Sequence, residues 1–441
     1  MDRYRSYQSW GGYPRARHTV KRLTWRDASL PNCDPDAYLL PYGNGRSYGD
    51  CCLNDRGVLL DTRGLKRFIG FDQAAGVLRC EAGILLAEIL ELIVPKGWFL
   101  PVTPGTQYVT LGGAIANDVH GKNHHTAGTF GRHVRCFELF RSDGARLLCS
   151  PRENIDWYQA TIGGLGLTGV ILWAEIALKP ISNPYLAVET RRTRDLRHFF
   201  ELSEASDREY EYTVAWIDCH ATGRSLGRGL FMRANHAPAF CANYPRTPLR
   251  RLRVPIALPF SIINGLTARW FSFFYYHKQP AEIRGTIAHY QPFFYALDGL
   301  GAWNRLYGPA GFLQYQCVVP GACGKEAIVE ILERLNASAV GSFLAVLKVF
   351  GEQASPGMLS FPRPGVTLAL DVPNQGKRTF DLLEQFDQVV RAGGGALYPA
   401  KDARMSQQSF RAFFPGIGGF TPFVDRRFSS SFWRRVMEEE G

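Results

Sequence analysis

The sequence predicts an α+β protein of two domains, and three observations carry that prediction. The chain has 441 residues, past the size at which a single hydrophobic core keeps growing. Three glycine-rich segments lie within the first 170 residues, interleaved with short strand and helix patterns. From residue 312 onwards the apolar pattern reads strand, helix, strand, strand, helix, strand. That order is the split arrangement that builds an antiparallel sheet with helices on one side.

The elements follow in order. Residues 57–62 (GVLLDT) and 77–81 read as short strands, and 84–94 as an apolar helix. Two strands between Cys136 and Cys149 flank the tight-turn signal Ser142-Asp143-Gly144. Residues 153–162 read as a helix and 170–178 as an alternating strand. Later come strand 312–319, helix 325–336, strands 342–350 and 366–372, helix 376–392 and strand 395–399. The last helix puts Phe380, Leu383, Phe386 and Val390 on one face and ends at Gly393. The domains are expected at 1–182 and 183–395, with 396–441 returning to the first.

Composition narrows the function classes. Hydrophobic residues make up 46% and charged residues 21%, the balance of a globular protein with a large core. The net charge of +11, spread from Arg3 and Arg5 to Arg434 and Arg435, favours acidic partners. No nucleic-acid-binding signature is present, so an anionic membrane or a phosphorylated substrate ranks above nucleic acid. Ten irregularly spaced cysteines imply neither a disulfide framework nor a zinc site. The first residues lack a secretory apolar stretch, and 254–268 is too short to cross a bilayer. The expected location is therefore cytoplasmic or peripheral at the inner membrane. The segment 244–280 joins Arg246, Arg250, Arg251 and Arg253 to the aromatic run Trp270–Tyr276, a pairing suited to a membrane interface.

The glycine segments are Pro41–Asp50, Pro104–Thr106 with Leu111–Asn123, and Ile162–Gly169. Glycine lets backbone N–H groups approach phosphate oxygens closely. Gly164-x-Gly166-x-x-Gly169 formally matches a Rossmann fingerprint, but a helix precedes it and a strand follows, so that fold is rejected.

Taken together, GNGRSYG at 43–49, PGT at 104–106 with GGAIA at 112–116, and GGLGLTG at 163–169 resemble the vanillyl-alcohol-oxidase, or PCMH-type, FAD-binding superfamily. The segments HGKNHH at 120–125, GPAGFLQYQ at 308–316, FLAVLK at 343–348, LSFPRPG at 359–365 and YPAKDAR at 398–404 are more specific. They resemble the decaprenylphosphoryl-β-D-ribose 2-oxidase family, and the likeness spans almost the whole chain. It implies a two-lobed FAD-binding domain plus an antiparallel-sheet substrate (cap) domain.

The resemblance assigns FAD contacts to Gly43, Asn44, Gly45, Arg46, Ser47, Tyr48 and Gly49. It adds Pro104, Gly105, Thr106, Gly112, Gly113, Ala116, Asn117, His120, Gly121 and Asn123, then Gly164, Gly169, Val170 and Tyr398. Arg46 stands where many relatives carry a flavin-linking histidine, so FAD is expected to be non-covalent. Lys401 is expected at the junction of flavin and substrate, stabilising the reduced cofactor and orienting the hydroxyl. Tyr48 and His120 are expected in the proton-removing and orienting network, and Lys122, Gln314, Gln316 and Lys348 around the sugar and its phosphate. No metal is expected at His120 and His124, because Gly121 and Asn123 do not suit a rigid ligand helix. Ala369 replaces a cysteine found in several members, and an acidic residue is expected near Ser431.

The implied reaction is oxidation of the 2-hydroxyl of a polyprenylphosphoryl ribose. An NADH-dependent 2-keto-reductase would complete epimerisation for arabinan and cell-wall synthesis, and a quinone or other acceptor would re-oxidise the flavin. The competing readings are an alditol or sugar-lactone oxidase using oxygen, and a non-catalytic flavin-binding scaffold.

Overall fold

The computed structural model describes residues 7–244, 252–256, 258–338, 340–342 and 344–437. Arg3, Arg5, Arg246, Arg250 and Arg251 lie outside the described residues, as does Phe343.

The first region is two small α+β lobes. Strands β1 (Thr19–Arg22), β2 (Leu39–Tyr42) and β3 (Val58–Asp61) form a parallel sheet in the order β1-β3-β2. Beyond them come β4 (Phe68–Asp72), β5 (Val77–Glu81), helix α1 (Leu86–Ile93), β6 (Trp98–Phe99), α2 (Leu111–Ala116) and α3 (His124–Ala127). Strands β7 (Val134–Phe140) and β8 (Arg146–Cys149), helix α4 (Ile155–Thr161), β9 (Val170–Ala177) and β10 (Lys179–Pro180) complete the region. An antiparallel sheet runs β4-β5-β9-β7-β8. Helix α1 packs beneath this lobe because Leu86, Ile89, Leu90 and Ile93 share one face and are fully buried. Helix α4 precedes the third glycine segment and β9 follows it, an order unable to build a Rossmann phosphate site.

The rest of the chain is organised around one eight-stranded sheet. Its first half comes from β11 (Tyr185–Thr193), β12 (Tyr212–Ile217), β13 (Gly229–His236) and β15 (Glu282–His289), between which lie α5 (Leu196–Ser206), the short strand β14 (Leu252–Arg253), which pairs outside this sheet, and α6 (Gly265–Lys278). After α7 (Tyr290–Phe294) and β16 (Leu300–Gly301), the second half comes from β17 (Phe312–Val319), α8 (Gly321–Ser338), β18 (Ala345–Phe350), β19 (Gly365–Pro373), α9 (Lys377–Ala392) and β20 (Ala396–Leu397). The order is β15-β11-β13-β12-β18-β19-β17-β20. Each half is thus the same β-α-β-β-α-β unit, fourth strand outermost beside the first, and the halves join antiparallel at β12 and β18.

The sequence pattern revealed only the second copy. In the first, all six residues of β12 are buried, which erases the alternation that marks a strand, and a long insertion separates β13 from α6. Helix α8 also begins at Gly321 rather than 325, and within its first turn a Cβ at Gly324 would come 2.7 Å from Val366.

The sheet's two faces differ. Leu313, Tyr315 and Cys317 of β17 and Ala215 and Ile217 of β12 enter the main core with α5, α8 and α9. Helices α8 and α9 of the second copy thus share one side as expected, whereas α6 of the first copy lies on the opposite face, where its Tyr276 packs with Trp216 and Leu230. The C-terminal tail, ending in α10 (Gln407–Phe413), α11 (Ile417–Phe420) and α12 (Ser431–Met437), returns to the first lobe. No acidic residue is needed near Ser431: its N–H donates to Leu53 O at 2.8 Å and its Oγ accepts from Asp55 N at 2.9 Å. Arg435 supplies the charge pairing instead, to Asp50 and Asp402.

Candidate active site

Residues 43–48, the 103–122 stretch and residues of the third glycine segment line one side of a cavity of about 910 Å³. Its other side is the face of the eight-stranded sheet opposite α5, α8 and α9. Because strand side chains alternate, Gln314 and Gln316 of β17, Val346 and Lys348 of β18, and Thr367 and Ala369 of β19 all face inward. The segment Tyr398–Lys401 closes one end.

The cavity is shaped by backbone approach. Gly45 takes a left-handed φ of +58°, and a Cβ there would lie 2.1 Å from the Tyr42 hydroxyl. A Cβ on Gly105 would meet nothing within 4 Å, since that glycine borders the open cavity. Arg46 stacks over Trp10 at 4.3 Å from the ring centre and faces Tyr108 at 5.5 Å. Arg46 Nε and Asn117 Oδ1 are buried and lack hydrogen-bond partners, although both residues line the cavity. Unpaired buried polar atoms are costly, so both point to a polar ligand. Volume, glycine walls and unpaired groups fit a dinucleotide such as FAD.

At the sheet end the side chains converge. Lys401 Nζ sits 3.8 Å from the centre of the Tyr48 ring, and Tyr48 N–H donates to Ala400 O at 2.9 Å. Lys348 Nζ lies 3.2 Å from His120 Nδ1 and donates to Gly121 O at 3.1 Å, while His120 Nε2 lies 2.9 Å from the Gln316 amide nitrogen. Both ring nitrogens are therefore engaged. Lys122 Nζ donates to Phe293 O and stands 4.2 Å from the Phe293 ring centre. Tyr398 OH donates to Asn117 O at 2.8 Å and stacks on Phe361. Behind this layer Gln314 Nε2 donates to Asp371, its cross-strand partner, which is fully buried.

Burial sets the protonation of the cluster. It pushes Lys401 down to about 8, with the Asp371 carboxylate pulling the other way. Lys122 is pushed down to about 7 by burial, and Lys348 to about 7 by burial and by the charges of Lys122 and Lys401. Asp371 is pushed up to about 7 by burial, opposed by the Gln314 hydrogen bond and Lys401. Burial and Lys348 hold His120 well below the usual imidazole range, and burial holds the Tyr48 phenol well above its own.

Four expected FAD contacts lie off the cavity wall. Gly49 packs against Asp402 O, where a Cβ would come within 1.5 Å. Asn123 donates to Pro101 O at 2.9 Å, holding the backbone that carries Lys122. Gly164 sits over Ala160 O, and Val170 is fully buried in the core between the two lobes. The sequence reading missed Trp10, Asp298, Trp303, Phe271 and Tyr275 on the wall, and Asp371 behind it. Asp371 was within reach, because the period of two through Thr367 and Ala369 brings it to the same face. Among the described residues no group of three or more His, Cys, Asp or Glu is placed to hold a metal, and no helix is long and apolar enough to cross a membrane.

Residues 33–150 match the family described as FAD binding domain. Over 384 residues the chain is 36% identical to the decaprenylphosphoryl-beta-D-ribose oxidase of Mycolicibacterium smegmatis, covering 85% of this chain and 83% of the relative. It is 34% identical over 351 residues to a Streptomyces coelicolor protein described as an uncharacterized protein in the mprA 5' region, covering 76% of this chain and 94% of the relative. Mouse L-gulonolactone oxidase is 31% identical over 140 residues, 31% of each chain. The protein is an FAD-dependent oxidoreductase, and it belongs to the decaprenylphosphoryl-β-D-ribose oxidase family.

Proposed function

We propose that this protein oxidises the 2-hydroxyl of a polyprenylphosphoryl-β-D-ribose to the 2-keto sugar. One observation carries the reading. The wall of lysines and glutamines beside the glycine loops continues into an apolar wall of Val214, Trp216, Phe271, Tyr275 and Trp303. Such a cavity suits a phosphorylated sugar at one end and an isoprenoid at the other. The relative named for decaprenylphosphoryl ribose supports the same head group. The domain division at 182/183 is part of this proposal; the expected second division at 395/396 moves past β20 (Ala396–Leu397), because that strand pairs with β17 in the eight-stranded sheet.

FAD, when bound non-covalently, supplies the hydride acceptor for the carbon being oxidised. Gly43, Asn44, Gly45, Arg46, Ser47, Pro104, Gly105, Thr106, Gly112, Gly113, Ala116, Asn117, Gly121 and Tyr398 would hold it, while Gly49, Asn123, Gly164 and Val170 shape those loops from behind. Gln314, Gln316 and Lys122 bind the sugar hydroxyls and phosphate. Lys401 Nζ, held near 8, keeps about a tenth of its amine neutral at pH 7, and that form takes the hydroxyl proton. The ammonium so formed would offset the negative charge that the hydride carries from the sugar to its acceptor. Tyr48 keeps its proton and packs against Lys401, and His120 fixes Gln316 and Lys348. Of the three expected catalytic residues, Lys401 moves the proton; Tyr48 and His120 align it.

The keto product requires an NADH-dependent reductase to reach the arabinose form, and a quinone or another acceptor to take the electrons. The basic and aromatic 244–280 segment supports peripheral contact with a membrane. The test is anaerobic addition of polyprenylphosphoryl ribose to the yellow holoenzyme. Bleaching of the flavin that fails in Lys401→Met is the expected result. Bleaching by alditols or sugar lactones but not by the lipid-linked ribose would overturn the substrate, and no bleaching by any of them would favour a scaffold.

A further inference from the structure

Helix α6 is apolar on two opposite sides. Ala268, Ser272 and Tyr276, spaced four apart, form its buried seam, and Tyr276 OH donates to Thr193 O at 3.2 Å. One edge of that seam carries Phe271 and Tyr275, stacked at 5.5 Å, which line the cavity beside Trp216. The far side carries Trp270 and Phe274, stacked at 5.8 Å and exposed by 56% and 61%. A helix on the surface of a soluble protein normally turns a polar face outward. Here the outward face is aromatic.

The surroundings share this character. Of the 18 exposed large hydrophobic side chains among the described residues, 12 lie between Phe240 and Tyr275. No aspartate or glutamate occurs between Asp218 and Glu282, whereas Arg253, Arg269 and Lys278 accompany the apolar residues. An interface between copies of this chain has no need to exclude every acid. An anionic bilayer does: basic side chains meet lipid phosphate, and aromatic rings sit at headgroup depth.

We propose that α6 is the membrane-docking gate of the active site. Its outer face, centred on Trp270 and Phe274, inserts into an anionic bilayer, while Phe271 and Tyr275 on its cavity edge receive the isoprenoid as it leaves the acyl layer. The inference rests on the lipid-linked substrate proposed above, and it adds where that lipid enters and which helix it passes. The head group and the isoprenoid portion next to it enter the cavity past α6, while the rest of the lipid stays in the membrane.

The test uses the holoenzyme and the double variant Trp270→Ser/Phe274→Ser, neither residue touching the cavity. Flotation is measured with phosphatidylcholine vesicles containing about 30% phosphatidylglycerol, with pure phosphatidylcholine as the comparison. The wild-type protein is expected to float with the anionic vesicles, and the variant to bind them about tenfold less. Turnover is then compared on a water-soluble short-chain prenylphosphoryl ribose and on a long-chain one embedded in vesicles. The variant should match wild type on the soluble substrate and lose about tenfold on the embedded one. Equal flotation of variant and wild type overturns the proposal. So does a wild type that oxidises the soluble substrate yet ignores vesicles, or one that is a dimer which the variant splits. If neither substrate is oxidised while flotation follows the expected pattern, the substrate reading fails and the docking surface stands.

Discussion

Lys401 is an amine that burial brings within reach of neutrality, and its chemistry follows from that. A neutral amine can take a proton; a guanidinium cannot, because its pKa stays above about 12 in proteins. Lys401→Arg should therefore be as inactive as Lys401→Met in anaerobic flavin reduction. If Lys401 served only as a fixed cation, arginine would retain part of the rate. For wild type, kcat/KM should fall as pH drops below about 8, where the amine becomes protonated. Asp371 tunes that limb. Its carboxylate raises the lysine, so Asp371→Asn should lower the Lys401 pKa and move the acid limb about one unit down. A limb that stays in place, with only the melting temperature altered, would make Asp371 purely structural. The residues of this layer differed in legibility. His120, Lys122 and Lys401 lie in distinctive local strings, whereas the period of two puts Asp371 on the inner face of its strand and only the register sets it opposite Gln314. Register is a property of paired strands and is not written in either strand alone.

The elements explain how two loops far apart in sequence keep their side chains in contact. Tyr48 and Lys401 lie 353 positions apart, yet Arg435 of α12 binds both flanking acids: Asp50 at 2.8 Å and Asp402 at 2.9 Å. Asp50 and Asp402 are both buried. Removing the guanidinium would strand two buried carboxylates, so Arg435→Met should cost about 3–5 kcal/mol, read from the urea midpoint. Part of the flavin-reduction rate should go with it. Gly49→Ala should be at least as damaging, since its methyl would press into the Asp402 carbonyl. The contrast explains what the sequence showed of the elements. Local signals such as the Ser142-Asp143-Gly144 turn and the α9 periodicity were readable because the forces are local. The tail latch and the first copy of the repeated unit were not, because the buried run of β12 and the opposite-face placement of α6 are set by tertiary packing.

The whole molecule is assembled around its ligand. A cavity of about 910 Å³ separates the glycine loops from the sheet, and its wall includes unpaired polar atoms at Arg46 and Asn117. FAD would bridge both sides and satisfy those groups, so it should bind the folded state and not the unfolded chain. Stability must then depend on free FAD by mass action, with about 2.7 kcal/mol gained at a concentration one hundred times the dissociation constant. Since position 46 is arginine, nothing at that position can retain the cofactor covalently. Acid precipitation should leave a colourless pellet and a yellow supernatant. The refolded or stripped protein should melt lower than the holoenzyme and climb steadily as FAD is added back. Arg46→Ala should flatten that climb by weakening FAD binding, yet leave the melting temperature of the stripped protein nearly unchanged, because the buried Arg46 Nε has no hydrogen-bond partner to lose without the cofactor. A pellet that stays yellow would overturn the non-covalent reading. A melting temperature indifferent to FAD would mean that the two sides of the cavity are held apart without it, and that the unpaired groups serve something else.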